Sequence, residues 1–301
     1  MLFTSRGIAR DRRRLFMPLA RLRLPHVVAV LLTVALQLSM SASALLAAEY
    51  QGTLRIGGTG AAVTTITQVA AAFQKKHPDV RLVFPPSLGS SGGIKAVIAG
   101  SLDVGLSGRP LTEAERGHGL VVAEYARTPL LLVTSHKGAE VNFTLKQIAA
   151  LYNGEIKAYP DGTPLRVIMR PESEIDMHLA RGLSPEIDAA ITRAQAREGM
   201  NVAVNDQNNA EMLIKTRGAI GWMTLAQLIS EDLDLAPLSI DSIQPSPANF
   251  ASGKYPLFKP LFVVTGAHPT PLTKAFLDLL TSAEGRAILE KNGHFINVRQ
   301  P

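Results

Sequence analysis

Residues 53–84 read TLRIGGTGAAVTTITQVAAAFQKKHPDVRLVF, and the apolar period changes twice within them. Thr53-Leu54-Arg55-Ile56 is a short strand that enters the small-residue turn Gly57-Gly58-Thr59-Gly60. Over 63–76 the apolar side chains return at helical spacing, and Pro78 stops the run. Val80-Arg81-Leu82-Val83-Phe84 then alternates like a strand. Strand, turn, helix and strand in this order form the unit of an α/β protein with largely parallel sheets.

The same rhythm continues outward. Gly89-Ser90-Ser91-Gly92-Gly93 is a second small-residue turn, followed by a predicted helix over 94–99 and a strand at Asp103–Leu106. Leu130–Thr134 is a fully apolar strand, and Thr144–Tyr152 a helix with Thr144 as N-cap. Further strands are predicted at Leu165–Met169, Ala219–Met223 and Leu261–Thr265, and helices at 187–198, 210–216, 273–280 and 284–291. Residues 243–256, rich in Pro, Ser and Gly, read as a loop. No internal repeat and no low-complexity tract interrupts the chain.

Two of the turns carry chemistry. Each follows a strand and opens a helix, where unpaired backbone N–H groups and the positive end of the dipole attract anions. Either turn by itself is equally an ordinary strand–helix connection. Two in one chain, with Arg170 at the end of another strand, favour an anion seat. The first turn lacks the Lys-Ser/Thr of a phosphate-binding P-loop, and Gly58-Thr59-Gly60 lacks the third glycine of a dinucleotide fingerprint.

Charge needs care in this chain of 301 residues. Its net charge of +6 is concentrated at the start, where residues 1–48 hold seven arginines and a single acid, Asp11. From Glu49 onward there are 24 basic and 24 acidic residues and no basic run to follow a nucleic acid backbone. There is no cysteine, which excludes disulfides, thiolate metal sites and a lipid-anchoring thiol. The arginines precede the uncharged run VVAVLLTVALQLSM at 27–40, and Ser41-Ala42-Ser43-Ala44 follows. That layout predicts a secretory signal peptide over 1–48, cleaved after Ala44 or Ala48 and starting at Met1 or Met17, with an uncleaved anchor as the alternative. The expected location is the periplasm.

The motifs taken together resemble the phosphate-binding proteins of ABC importers. The resemblance runs through Ser87-Leu88-Gly89-Ser90-Ser91-Gly92-Gly93-Ile94-Lys95 and Asp103-Val104-Gly105-Leu106-Ser107-Gly108-Arg109-Pro110-Leu111. It continues in 144–157, in Arg170-Pro171, in Gly218-Ala219-Ile220-Gly221-Trp222 and in 255–265. It implies a two-lobed periplasmic-binding-protein (type II) fold, lobe one being residues 49–133 plus 261–301 and lobe two 134–260, with the ligand in the cleft. Hinge closure around the ligand is the implied motion. It further implies ligand contacts from Ser90, from the N–H groups of Ser91, Gly92 and Val63, from Ser107, and from Arg170, whose planar fork suits a tetrahedral oxyanion. Thr59 and Gly60 stand in the same seat.

Departures from the family pattern are specific. Ala62 stands where a ligand Thr or Ser is usual, and Thr59 is the substitute. Gly108 replaces an Asp that would accept the proton of hydrogen phosphate and repel sulfate, so the basis for rejecting sulfate is gone. Glu174, Ile175 and Asp176 replace a Ser-Gly-Thr turn. Three readings of that loop are open: Ser173 serves instead, the two acids face solvent, or the ligand is not simple phosphate. Arg109 either adds charge or makes a surface pair. Asn205-Asp206-Gln207-Asn208-Asn209 caps a helix by default, with a polar contact to the ligand from lobe two as the alternative, and Trp222 is a core residue.

The expected function is an exported, monomeric solute-binding protein that hands a small oxyanion, phosphate first, to a permease at the inner membrane. No catalytic group, metal site or cofactor is expected, because no nucleophile–base pair or HExxH spacing occurs. The competing readings are the same fold holding sulfate, molybdate or an organic phosphate, a sensory receptor, and a secreted phosphatase.

Overall fold

A computed structural model describes residues 50–137 and 142–296, so the expected signal peptide lies outside the described residues. Most of the strands join one sheet, in the order β2 (Val80–Val83), β1 (Gly52–Gly58), β3 (Val104–Ser107), β11 (Phe258–Thr265), β4 (Val121–Thr134), β8 (Ala219–Thr224), β6 (Arg166–Met169), β7 (Asn201–Val202). Its first half is β1 (Gly52–Gly58), flanked in parallel by β2 (Val80–Val83) and β3 (Val104–Ser107). Its second half is β6 (Arg166–Met169), parallel to β7 (Asn201–Val202) and β8 (Ala219–Thr224). Two long antiparallel strands, β4 (Val121–Thr134) and β11 (Phe258–Thr265), connect the halves. The first part of β4 pairs with β11 and its last five residues pair with β8. Short β9 (Ala236–Pro237) adds to β4, while β10 (Ser239–Ile240) and β5 (Asn142–Phe143) form a separate pair.

Each half has its own core, as a two-lobed α/β fold requires. In one, Leu54, Ile56, Val104 and Leu261 pack beneath α1 (Gly60–Lys76), α10 (Pro271–Thr281) and α11 (Ala283–Lys291). In the other, Leu130–Val133, Ile168 and Trp222 pack against α4 (Leu145–Asn153), α6 (Pro185–Gln195) and α7 (Asp206–Lys215). Leu54, Ile56 and Leu130 are fully buried, and burial of each such side chain stabilises the fold by about 1.5–3 kcal/mol. Trp222 is a core residue, as expected, with its indole N–H donating to the Tyr152 hydroxyl at 2.8 Å.

Three differences from the sequence reading matter. The Gly89–Gly93 turn is itself the first turn of α2 (Gly89–Ile98), because the small side chains let the helix begin hard against β1 and β3. Helix α7 begins at Asp206, four residues before the predicted start, since Asn205 caps it by accepting the Asn208 N–H at 2.8 Å. The 243–256 loop contains α9 (Pro247–Ala251), started by Ser246 as cap and by Pro247. The remaining described helices are α3 (Glu113–Arg116), α5 (Ile175–Arg181) and α8 (Leu225–Ser230).

Candidate functional site

Helix starts divide into two kinds. Eight of the eleven described helices have an N-cap side chain that accepts a hydrogen bond from their own first turn. The other three, α1, α2 and α5, have none. All three begin around one buried cluster of charged side chains. N-caps usually contribute about 1 kcal/mol, so their absence here leaves donors for something else.

Arg170 stands at the centre, 2 % exposed at the end of β6. Its Nη1 donates to Asp206 Oδ1 at 3.1 Å and its Nη2 lies 3.0 Å from Glu174 Oε2. The second cation is Lys259, 1 % exposed on β11, with Nζ 2.8 Å from Asp176 Oδ1. Two cations therefore face three acids, a formal charge of −1. Burial pushes the Glu174 carboxyl up, against the pull of Arg170. Burial would also raise Asp206, but Lys259 and Arg170 outweigh it and hold that carboxyl well below the usual carboxylate range. The two carboxyls are thus pushed in opposite directions, Glu174 by burial and Asp206 by its cations.

Asp206 also reaches the opposite half. Its Oδ2 accepts the Ala61 N–H of α1 at 3.0 Å and the Thr59 hydroxyl at 3.2 Å. Beside it Gln207 Nε2 donates to the Gly60 carbonyl at 3.2 Å. The approach is close enough to require glycine: a Cβ on Gly60 would stand 2.3 Å from Gln207 Oε1 and 2.8 Å from Asp206 Cβ. Glycine is required at Gly108 for a different reason. A Cβ there would meet Lys259 Cε at 2.5 Å, so the lysine stem fills the space that a side chain at 108 would take.

The expected site residues are distributed unevenly around this cluster. Thr59, Gly60 and Ala62 form the start of α1, with Val63 a half-buried residue in the same turn. Ser90, Ser91 and Gly92 form the start of α2, and Glu174 Oε1 comes within 3.4 Å of a Cβ placed on Gly89. The Ser90 hydroxyl oxygen accepts the Gly108 N–H at 2.8 Å. Ser107 is turned to its own chain, donating to the Arg109 carbonyl at 2.7 Å. Ser173 is exposed and stands outside the cluster. The reading of Glu174 and Asp176 as solvent-facing is corrected: Asp176 is 1 % exposed, and both acids turn to the buried cations. Arg109 forms a pair with Glu115 at 2.8 Å and donates to the Ser91 hydroxyl at 2.9 Å. That guanidinium pulls the Glu115 carboxyl down to about 2.

Sequence reasoning missed Lys259 and the role of Asp206. Lys259 had a signal, a lone lysine inside the apolar stretch Phe258-Lys259-Pro260-Leu261-Phe262. Asp206 lies in the run read as a cap or a polar ligand contact, and only the packing of α7 against α1 gives it the Thr59 hydroxyl and the Ala61 N–H.

Comparison with known proteins agrees with this architecture. Phosphate-binding protein PstS of Borreliella burgdorferi is 25% identical over 254 residues, 81% of this chain and 89% of that protein. The PstS of Bacillus subtilis is 24% identical over 241 residues, 77% of this chain and 76% of that protein. Among solved structures, a phosphate-bound ABC transporter substrate-binding protein from Clostridium perfringens superposes with a TM-score of 0.68 at 23% identity, covering 81% of this chain and 99% of its own. The family model described as the PBP superfamily domain matches residues 46–284, from before β1 to the start of α11, so every strand and both halves of the cluster fall inside it, and the chain belongs to that family.

Proposed function

We propose that this protein is an exported, non-catalytic receptor that captures a small oxyanion, phosphate first, and delivers it to an ABC permease. The observation that carries the reading is the meeting of two uncapped helix starts, α1 and α2, with the buried cations Arg170 and Lys259. Backbone donors from one half and charges from the other suit a multivalent anion that both can grip. The relatives' names, phosphate-binding proteins, support the same ligand. The expected lobes are 49–133 plus 261–301 and 134–260; we move the border to 129/130, giving 49–129 plus 261–301 and 130–260, because Leu130–Val133 pack in the second core. Export by residues 1–48, a periplasmic location and a monomeric state belong to the same proposal. Among the described residues no helix is long and apolar enough to cross a membrane.

Calorimetry of the purified protein against phosphate, sulfate, molybdate and small organic phosphates tests it. Phosphate should bind at micromolar concentration or below, and Arg170→Ala should abolish that binding. Silence across the panel would overturn the oxyanion reading. A second reading, sulfate in preference to phosphate, has one observation in its favour. The aliphatic stem of Lys259 covers Gly108, so no acceptor stands in the place from which one would discriminate against the fully ionised anion.

A further inference from the structure

The donors that an incoming anion needs are already in use. Asp206 takes the Ala61 N–H, the Thr59 hydroxyl and Arg170 Nη1, all with its two carboxylate oxygens. Those oxygens stand in for two oxygens of a tetrahedral anion at the start of α1. The carboxylate comes from a fixed element. Asn205 caps α7, the Asn209 side chain donates to the Trp222 carbonyl at 2.9 Å, and the Gln227 side chain donates to the Asp206 carbonyl at 3.1 Å. An acid in a first helical turn ordinarily serves its own helix. Asp206 instead turns outward and bridges to the other half.

Resting on the oxyanion reading above, we propose that Asp206 is an internal counter-ligand. It closes the cleft on the protein's own carboxylate, and solute binds by taking its place. Two further observations support exchange over simple addition. At Gly60 the halves are already in contact, so a four-oxygen anion cannot enter between α1 and α7 unless they separate. The substitute is also incomplete: Arg170 Nε is buried and has no hydrogen-bond partner. A tetrahedral anion brings more acceptors than a carboxylate and more charge, which is what allows it to win the exchange. The groups facing Asp206 from every side are Arg170, Lys259, Asp176 and Glu174. Removing one acid from that set leaves the seat neutral instead of negative. The device makes Asp206 the residue that sets affinity. Solute affinity is reduced by the fraction of molecules left open, and a residue that holds them shut acts as an intramolecular competitor at a fixed effective concentration.

The test uses two variants that loosen the same contact from opposite sides. Asp206→Asn removes the charge. Gly60→Ala leaves all five charged side chains in place and forces α1 away from α7 through its Cβ. Small-angle X-ray scattering without phosphate should show both variants more open than wild type, and equal to it at saturating phosphate. Calorimetry with inorganic phosphate should show Asp206→Asn binding at least about tenfold tighter than wild type. Variants as closed as wild type without phosphate would overturn the proposal. So would phosphate affinity that is unchanged in Asp206→Asn while wild type binds, an outcome that leaves the oxyanion reading intact. Weaker phosphate binding with a gain of sulfate would also overturn it, by showing that Asp206 accepts the ligand's proton. Opening of both variants with no binding of phosphate or sulfate to any form would sink the oxyanion reading, and the exchange with it.

Discussion

Thr144 and Thr59 are the same residue in the same backbone setting, and the fold uses them in opposite ways. Both precede a helix with extended dihedrals, φ −72 and ψ 158 at Thr144, φ −65 and ψ 128 at Thr59. Thr144 accepts the Gln147 N–H, and Gln147 reaches back to the Thr144 N–H, closing a capping box on α4. Thr59 caps nothing; its hydroxyl donates across the cleft to Asp206. The third helical residue and the partner within reach both differ, since Asp206 takes the Thr59 hydroxyl. At α4 that third residue is Gln147, which can reciprocate, and at α1 it is Ala62, which cannot. A helix that caps its own start has fewer donors left for a guest, and one that leaves its start open needs a partner from elsewhere.

The largest test of this contrast is Arg170→Ala. It should abolish oxyanion binding and leave Asp206 and Glu174 buried without their cation, lowering unfolding free energy by about 3–5 kcal/mol in a urea titration. If stability is unaffected, the cluster is not the buried, mutually paired set described here.

Next in size is Thr59→Val, which removes one charge-assisted donor. Oxyanion affinity should fall by about tenfold, as expected for loss of a hydrogen bond to a charged group. Thr144→Ala is its mirror. It should cost about 1 kcal/mol of stability and leave anion binding as it was. Exchange of these two outcomes would break the division between self-capped and ligand-seeking helix starts.

The smallest effect is a trend with pH. Because burial raises Glu174, that carboxyl holds its proton more tightly in the folded chain than in the unfolded one. Its contribution is most favourable below the ordinary carboxylate range and is lost as pH climbs through the raised value. Glu174→Gln has no proton to lose. Its melting temperature relative to wild type should therefore rise as pH goes from about 4 toward neutrality. A flat difference would mean that pairing with Arg170 fully offsets burial.

Much of this molecule could be read one residue at a time. Alternation over 53–84 gave β1, α1 and β2, because the side-chain period of a strand or helix is a property of the local backbone. Thr144 was legible as a cap for the same reason. At the site, the two small-residue turns and Arg170 could be found, since each is a local pattern. Their partners could not. The solvent-facing reading of Glu174 and Asp176 failed because the direction of a loop side chain depends on what packs over it.

The sequence by itself determined the α/β rhythm, the two small-residue turns between strand and helix and the glycine at position 108. Tertiary structure alone decided that Lys259 fills the space over Gly108 and that Asp206 occupies the seat at α1. The reason is distance along the chain. Asp206 lies 145 residues from Ala61, and no local periodicity connects them. Only the antiparallel crossing of β4 and β11, which joins the two halves, brings that carboxylate and those amides within hydrogen-bonding reach.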